Sequence, residues 1–87
     1  MNFYETPDLG LIAAFVTLGY PVKGILQKKG KVFFTFEYSK HLMEQAGKYF
    51  GGGLDVNAKE YFYNLRDIKN QIYESKLQHD TQETKPE

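Results

Sequence analysis

The sequence predicts a small α+β domain in which helices cover one face of an antiparallel β-hairpin. Residues 31–38 are the densest run of β-branched and aromatic residues in the chain, which is typical of a strand. On either side of the predicted hairpin, apolar residues recur at helical spacing. The predicted order is therefore helix, strand, strand, helix, helix, with the helices on one side of the sheet.

Composition limits the chain to one domain and argues against several classes of protein. The chain has 87 residues, which is the size of a single domain, and no cysteine, which excludes disulfides and thiolate metal sites. Eleven basic and eleven acidic residues cancel, which argues against a DNA mimic and weakly against nucleic-acid binding. No stretch predicts a leader or a membrane span, so we expect a cytoplasmic protein without membrane contact.

The first helix is predicted between a proline-containing start and a glycine-containing end. Thr6 is expected to cap it, Pro7 suits the first helical position, and Asp8 favours the positive end of the helix dipole. Gly19 suits a left-handed helix C-terminus, and Pro21 prevents continuation. Residues 1–5 are expected to be a short entry segment.

The hairpin is predicted from strands near residues 22–28 and 31–37. Gly30 is expected to take a positive φ in the turn between them, and Gly24 to mark a bulge or a close contact. The two-residue period of a strand places Phe34 and Phe36 on the buried face and Phe33 on the opposite face. An isolated hairpin is marginal in water. We therefore expect the helices to pack against the face that carries Phe34 and Phe36.

Two further helices are predicted after the hairpin. Ser39 caps the first, over about residues 40–50, and three consecutive glycines end it. Asn57 caps the last helix, which is predicted to run from residue 58 to about residue 77. The compact domain is therefore predicted over residues 1–77. Residues 78–87 contain no apolar residue and are predicted to be a disordered tail.

The predicted hairpin tip is the first candidate binding site. Lys28, Lys29 and Lys31 lie beside Phe33 on the uncovered face. Sheet modules hold single-stranded nucleic acid with cations that contact the phosphates and with aromatic rings that stack on the bases. The alternative is a lysine-rich turn that prevents edge pairing, with Phe33 packed under the tail or against a second subunit.

The last helix carries the second candidate site. Arg66, Lys69 and Tyr73 follow Phe62 along one stripe, which would form a cationic, aromatic contact patch for a partner. The alternative is an ordinary helix flank, with Arg66 paired to a nearby polar or acidic side chain and the long stems covering apolar surface.

No residue pattern indicates catalysis, a cofactor or a metal. His41 and His79 have no metal-ligand spacing with each other or with a carboxylate cluster. The three glycines at residues 51–53 lack the lysine and hydroxyl of a phosphate-binding loop and follow a helix instead of a strand. We therefore expect no catalytic residues, no cofactor and no metal site.

The pattern also resembles an uncharacterised prokaryotic domain family found in bacterial and mobile-element proteins. The resemblance spans residues 6–73 and rests on Thr6, Asp8, Leu9, Ala13, Leu18, Gly19, Lys31, Val32, Phe34, Phe36, Phe62, Leu65, Arg66, Lys69 and Tyr73. It implies a compact non-enzymatic module, from a phage or another mobile element, and no specific activity. The run of three glycines departs from the more varied connector of that family.

Two functions remain open from the sequence. The first is a small non-catalytic interaction module that self-associates or binds a protein partner, with Phe33 at the interface. The second is an accessory nucleic-acid-binding protein that uses Lys28, Lys29, Lys31 and Phe33, together with Arg66 and Lys69. An enzyme is not expected, because no acid–base pair, nucleophile or metal cluster stands out.

Overall fold

The computed structural model describes the backbone of residues 2–84 and the side chains of residues 2–74. The elements in chain order are β1 (Phe3–Thr6), α1 (Leu9–Thr17), β2 (Val22–Lys28), β3 (Lys31–Glu37), α2 (Lys40–Phe50) and α3 (Ala58–Thr84). None of the helices in this part of the chain is long and apolar enough to cross a membrane.

The α+β class is confirmed, but the sheet has three antiparallel strands in the order β1-β3-β2, and the hairpin is only part of it. Residues 3–6, expected to be an entry segment, pair with β3, so that Thr6 lies opposite Phe34. The extra strand occupies an edge of β3 that a two-stranded hairpin would leave open, which reduces the exposed backbone.

The core lies between the sheet and the first helix. Phe34 and Phe36 are buried, and Phe15 of α1 packs edge-on against Phe36, with ring centroids 4.9 Å apart. Tyr4 and Tyr20 also contact the Phe15 ring at edge-on angles, a geometry that aromatic pairs favour. The prediction that Phe34 and Phe36 face the helices is therefore confirmed.

The first helix is enclosed by the sheet and by the other two helices. Five consecutive residues, 11–15, are buried, which shows that α1 has no solvent-facing side over this stretch. Ile68 of α3 and Leu42 and Ala46 of α2 belong to the same apolar cluster. The helices do not cover β2 completely. Ile25 lies opposite the buried Phe34 and is nevertheless 50% exposed.

The N-cap residue differs from the prediction in α1 and agrees with it in α2 and α3. Asp8, not Thr6, caps α1: its carboxylate accepts from the Leu11 amide at 3.0 Å. Thr6 belongs to β1, and its hydroxyl accepts from the Asp8 amide at 3.1 Å. Ser39 caps α2, and Asn57 accepts from the Glu60 amide at 2.9 Å at the start of α3, both as predicted.

The predicted turns and breaks also agree with the structure. Lys29 and Gly30 both have positive φ, of 49° and 81°, and join β2 to β3 as a two-residue turn. Gly19 has a φ of 99° after α1, and the register shifts between Val22 and Gly24, which is the predicted irregularity in β2.

The last helix is longer than the sequence predicts. α3 runs to Thr84, whereas its end was expected near residue 77. The prediction that residues 78–87 form a disordered tail stays a prediction, because the side chains of residues 75–84 and all of residues 85–87 lie outside the described part of the chain. Residues 58–84 contain neither proline nor glycine, so no residue of this stretch is a strong helix breaker.

Candidate functional site

One face of the sheet, the outer sheet face, points away from the helices. The strand registers place eight side chains on it: Phe3 and Glu5 of β1, Leu26 and Lys28 of β2, and Lys31, Phe33, Thr35 and Glu37 of β3. Phe3 is 50% exposed and Leu26 is 38% exposed, while Phe33 is partly buried. No helix of the described chain covers this face, which carries three apolar and four charged side chains.

An ion pair crosses the outer sheet face above the central strand. Lys28 Nζ lies 2.8 Å from Glu5 Oε1, and the same ammonium lies 5.1 Å from the centroid of the Phe33 ring. The two charged residues belong to the two edge strands, whereas Phe33 belongs to β3. This arrangement explains why Phe33 is only partly exposed, and it occupies the ring face on which a nucleic-acid base would stack.

The rest of the hairpin tip is exposed. Lys29 is the first of the two turn residues with positive φ, and Lys31 begins β3 directly opposite Lys28. Lys31 also lines a groove of about 430 Å³ between the hairpin and the helices, together with Asp8 and Ile72. The tip therefore carries three lysines as predicted, of which Lys28 is already paired with a carboxylate.

The second group of predicted site residues, Arg66, Lys69 and Tyr73, lies on the last helix. Together with Phe62 of the same stripe and Tyr63, which was not predicted, they form what we call the α3 surface. The guanidinium carbon of Arg66 lies 6.0 Å from the Phe62 ring centroid and 5.7 Å from the Tyr63 ring centroid. No carboxylate of residues 2–74 forms an ion pair with Arg66. Within these residues, the ion pair that the helix-flank alternative includes is therefore absent, and the rest of that alternative stays a prediction.

The α3 surface has a shallow groove and an exposed aromatic beyond it. Phe62, Leu65, Arg66, Lys69 and Asn70 line a groove of about 310 Å³. Tyr73 is 66% exposed and Phe62 is 60% exposed, values that are high for rings in a small monomeric domain. The arrangement presents rings and two cations side by side on one rigid element.

The predicted site residues thus form two groups and not one site. Lys28, Lys29, Lys31 and Phe33 belong to the hairpin, and Arg66, Lys69 and Tyr73 to α3. No hydrogen bond or ion pair within residues 2–74 joins the two groups.

The sequence reasoning missed Tyr63 on the α3 surface and three contributors to the outer sheet face. These three are Glu5, Phe3 and Leu26. The alternation Phe3, Tyr4, Glu5, Thr6 was the available signal for the first two, since it has the two-residue period of a strand.

One further polar pair lies away from the outer sheet face and the α3 surface. Tyr20 and His41 are hydrogen-bonded through the phenol oxygen and Nδ1, which the sequence did not suggest. Burial is the main cause that raises the pKa of Tyr20, and the nearby Glu44 carboxylate adds to it. Within the described residues, no three His, Asp or Glu side chains lie close enough to hold a metal ion. The side chain of His79 lies outside those residues.

Comparison with known proteins gives a family and no activity. No curated protein and no solved structure matches the chain. One family model, described as a domain of unknown function, matches residues 1–74 and so covers all six elements up to the middle of α3. The match does not bear on a prokaryotic or mobile-element origin, which stays a prediction. The chain belongs to the family described as Domain of unknown function (DUF5659).

Proposed function

We propose that this domain is a small non-catalytic interaction module that binds a protein partner through the α3 surface. The observation that carries the proposal is the position of Arg66, whose guanidinium lies against the rings of Phe62 and Tyr63 without an ion-pair partner among the described residues. A cation held in this way is positioned in advance, so that a partner's carboxylate loses less conformational freedom on binding.

The composition of the α3 surface supports the same proposal. Tyrosine, phenylalanine and arginine are enriched in protein interfaces, and tyrosine and arginine are frequent among the residues that dominate binding energy. Phe62, Tyr63 and Tyr73 are all more than half exposed, although aromatic rings gain most when they are covered. They project from a helix whose opposite face packs into the core through Ile68, so the backbone that carries these rings is held by the fold.

Nucleic-acid binding is the second candidate, and the geometry favours it less. Lys28 is paired with Glu5 and lies over the Phe33 ring, so a phosphate and a base would first have to displace this surface ion pair, whereas no ion pair of the described residues has to be broken at Arg66. Lys29 and Lys31 remain exposed at the tip. If the tip binds single-stranded oligonucleotide, binding should weaken steeply with salt, and Lys29→Ala should reduce that dependence.

Site-specific photo-crosslinking tests the proposed surface. A photoreactive amino acid is placed at Phe62 or at Tyr73 in the full chain, and the cells that produce it are irradiated. Gln71 provides the control position, since it is exposed on the same helix and lies roughly half a turn around the helix from Phe62 and Tyr73. We expect a discrete adduct from Phe62 and Tyr73 and none from Gln71, and mass spectrometry of the adduct identifies a copy of the chain or a different protein.

Arg66→Ala in the crosslinking background completes the test. It should reduce the adduct several-fold while the thermal unfolding of the variant stays close to that of the parent, because Arg66 is exposed. Equal adducts from all three positions, or none from any, would contradict the proposal. We also propose that the domain acts in the cytoplasm and comes from a phage or other mobile element, so bacterial cells are the first host to examine.

A further inference from the structure

We propose that the outer sheet face binds a second copy of this chain, with the two β3 strands antiparallel across the interface. This inference concerns a different surface from the α3 surface and does not depend on it. It rests on the pattern of side chains along β3 and on their neighbours in β2.

Charge along β3 makes the face complementary to itself. Lys31 and Glu37 stand at the two ends of the strand on the outer sheet face, with Phe33 and Thr35 between them. A two-fold axis in the plane of the interface and perpendicular to the strand would reverse the second copy. Each Lys31 would then face the Glu37 of the other copy. An axis parallel to the strand would instead oppose like charges, which is unfavourable.

The same axis places large side chains against small ones. It passes level with Phe34, so Phe33 of one copy faces Thr35 of the other. In β2, Leu26 lies beside Phe33 and Gly24 lies beside Thr35, so Leu26 faces Gly24 across the interface. The position of Gly24 next to Thr35 is supported by the 4.0 Å between the Thr35 Cβ and a Cβ built on Gly24. Alternation of large and small residues is what allows two sheet faces to interdigitate.

The reach of the charged side chains accommodates the twist of the sheets. Lys31 and Glu37 are separated by about 20 Å along the strand at ~3.3 Å per residue, so each lies about 10 Å from the axis. Two sheets packed at about 30° would displace facing ends by roughly 5 Å, which a lysine and a glutamate can span. The Lys28–Glu5 pair also lies over this face, and because both side chains are exposed it costs little to displace.

The small area of the outer sheet face predicts a weak dimer. Two strands of seven residues and one of four, about 4.8 Å apart, give a face near the lower end of specific interfaces. Sedimentation velocity is therefore measured on the full chain over a concentration series that reaches the millimolar range. We expect a monomer–dimer equilibrium in the parent protein.

Charge reversal tests the orientation. Lys31→Glu alone and Glu37→Lys alone should each weaken dimerisation at least tenfold, because like charges then meet at both ends. An equimolar mixture of the two single variants should form a mixed dimer more readily than either variant forms its own, and the double variant should recover the parent's dimerisation. Lys59→Glu makes the same charge change on α3 and should leave the equilibrium unchanged.

Three results would overturn the proposal. One is a parent protein that stays monomeric at millimolar concentration. The second is a dimer that neither charge reversal affects. The third is a dimer that Ile25→Lys dissociates and Lys31→Glu does not, since that result would assign dimerisation to pairing of the exposed β2 edges. None of these results bears on crosslinking from the α3 surface, so the two proposals can fail separately.

Discussion

The Tyr49 hydroxyl of α2 occupies the space that a side chain on Gly10 of α1 would need. A Cβ built on Gly10 overlaps that hydroxyl and lies 3.1 Å from the Tyr61 hydroxyl of α3. Tyr49 donates a hydrogen bond to Asp8 at 3.2 Å, and Tyr61 donates to the Gly10 carbonyl at 3.3 Å. One position of α1 therefore receives a tyrosine from each neighbouring helix.

Gly10→Ala should destabilise the domain although alanine is the better helix former. The added methyl group must displace the Tyr49 hydroxyl, and forced overpacking of this kind costs about 1–3 kcal/mol. Urea unfolding followed by circular dichroism measures the change. Gly47→Ala is the matched control, because Gly47 lies inside α2 with nothing near its missing side chain. It should stabilise by up to ~1 kcal/mol. Equal shifts in the two variants would contradict the proposed contact.

Phe34→Ala and Phe33→Ala should differ strongly in stability. Phe34 is 1% exposed, and its truncation should cost about 3–5 kcal/mol. Phe33 lies on the outer sheet face and is only partly buried, so its truncation should cost clearly less. Equilibrium unfolding at low protein concentration, where association does not contribute, provides the comparison. A larger loss for Phe33→Ala would show that the register of β3 is wrong.

Asn57→Ala should destabilise the domain by about 1 kcal/mol. The variant removes the side-chain oxygen that accepts from the Glu60 amide at the start of α3. Asn70→Ala serves as the control, because Asn70 is exposed within the same helix and alanine favours helix there. Thermal unfolding that is identical for Asn57→Ala and the parent would mean that the cap contributes nothing.

Stability should fall as the pH rises above about 10, and Tyr49 should cause part of the fall. Burial first, and then the charge of Asp8 and the hydrogen bond to it, raise the pKa of Tyr49 in the fold. Above the ordinary tyrosine pKa of about 10, the unfolded chain has lost this proton while the folded chain keeps it. The unfolded state then binds fewer protons, so a rise in pH favours unfolding.

Urea midpoints between about pH 9 and pH 11 measure this dependence. Tyr49→Phe should have a shallower decline than the parent, and the decline that remains includes the contribution of Tyr20, whose pKa is also raised. Tyr73→Phe is the control, because it removes a hydroxyl from an exposed ring. If Tyr49→Phe declines as steeply as the parent, the contact with Asp8 does not perturb Tyr49.

The elements with strong local signals could be predicted from the sequence. Ser39, Asn57, Gly19 and Gly30 act within their own turns, so a few neighbouring residues determine their geometry. The face assignment of Phe34 also held, because the two-residue period of a strand needs no tertiary information.

β1 could not be recognised in the same way. Four residues are a short strand, and their pairing with β3 depends on residues about thirty positions later. The same limit applies to the candidate sites. Glu5 was not connected with Lys28 because β1 was not expected, and the contacts of Arg66 depend on side-chain directions that a stripe on a helix does not specify.

The pairing of β1 with β3 also determines the order in which the chain can fold during synthesis. Thr6 has its partner at Phe34, and translation proceeds at about 5–20 residues per second, so the first strand waits seconds for its neighbour. The apolar residues of α1 are made during that interval and have no sheet to cover them.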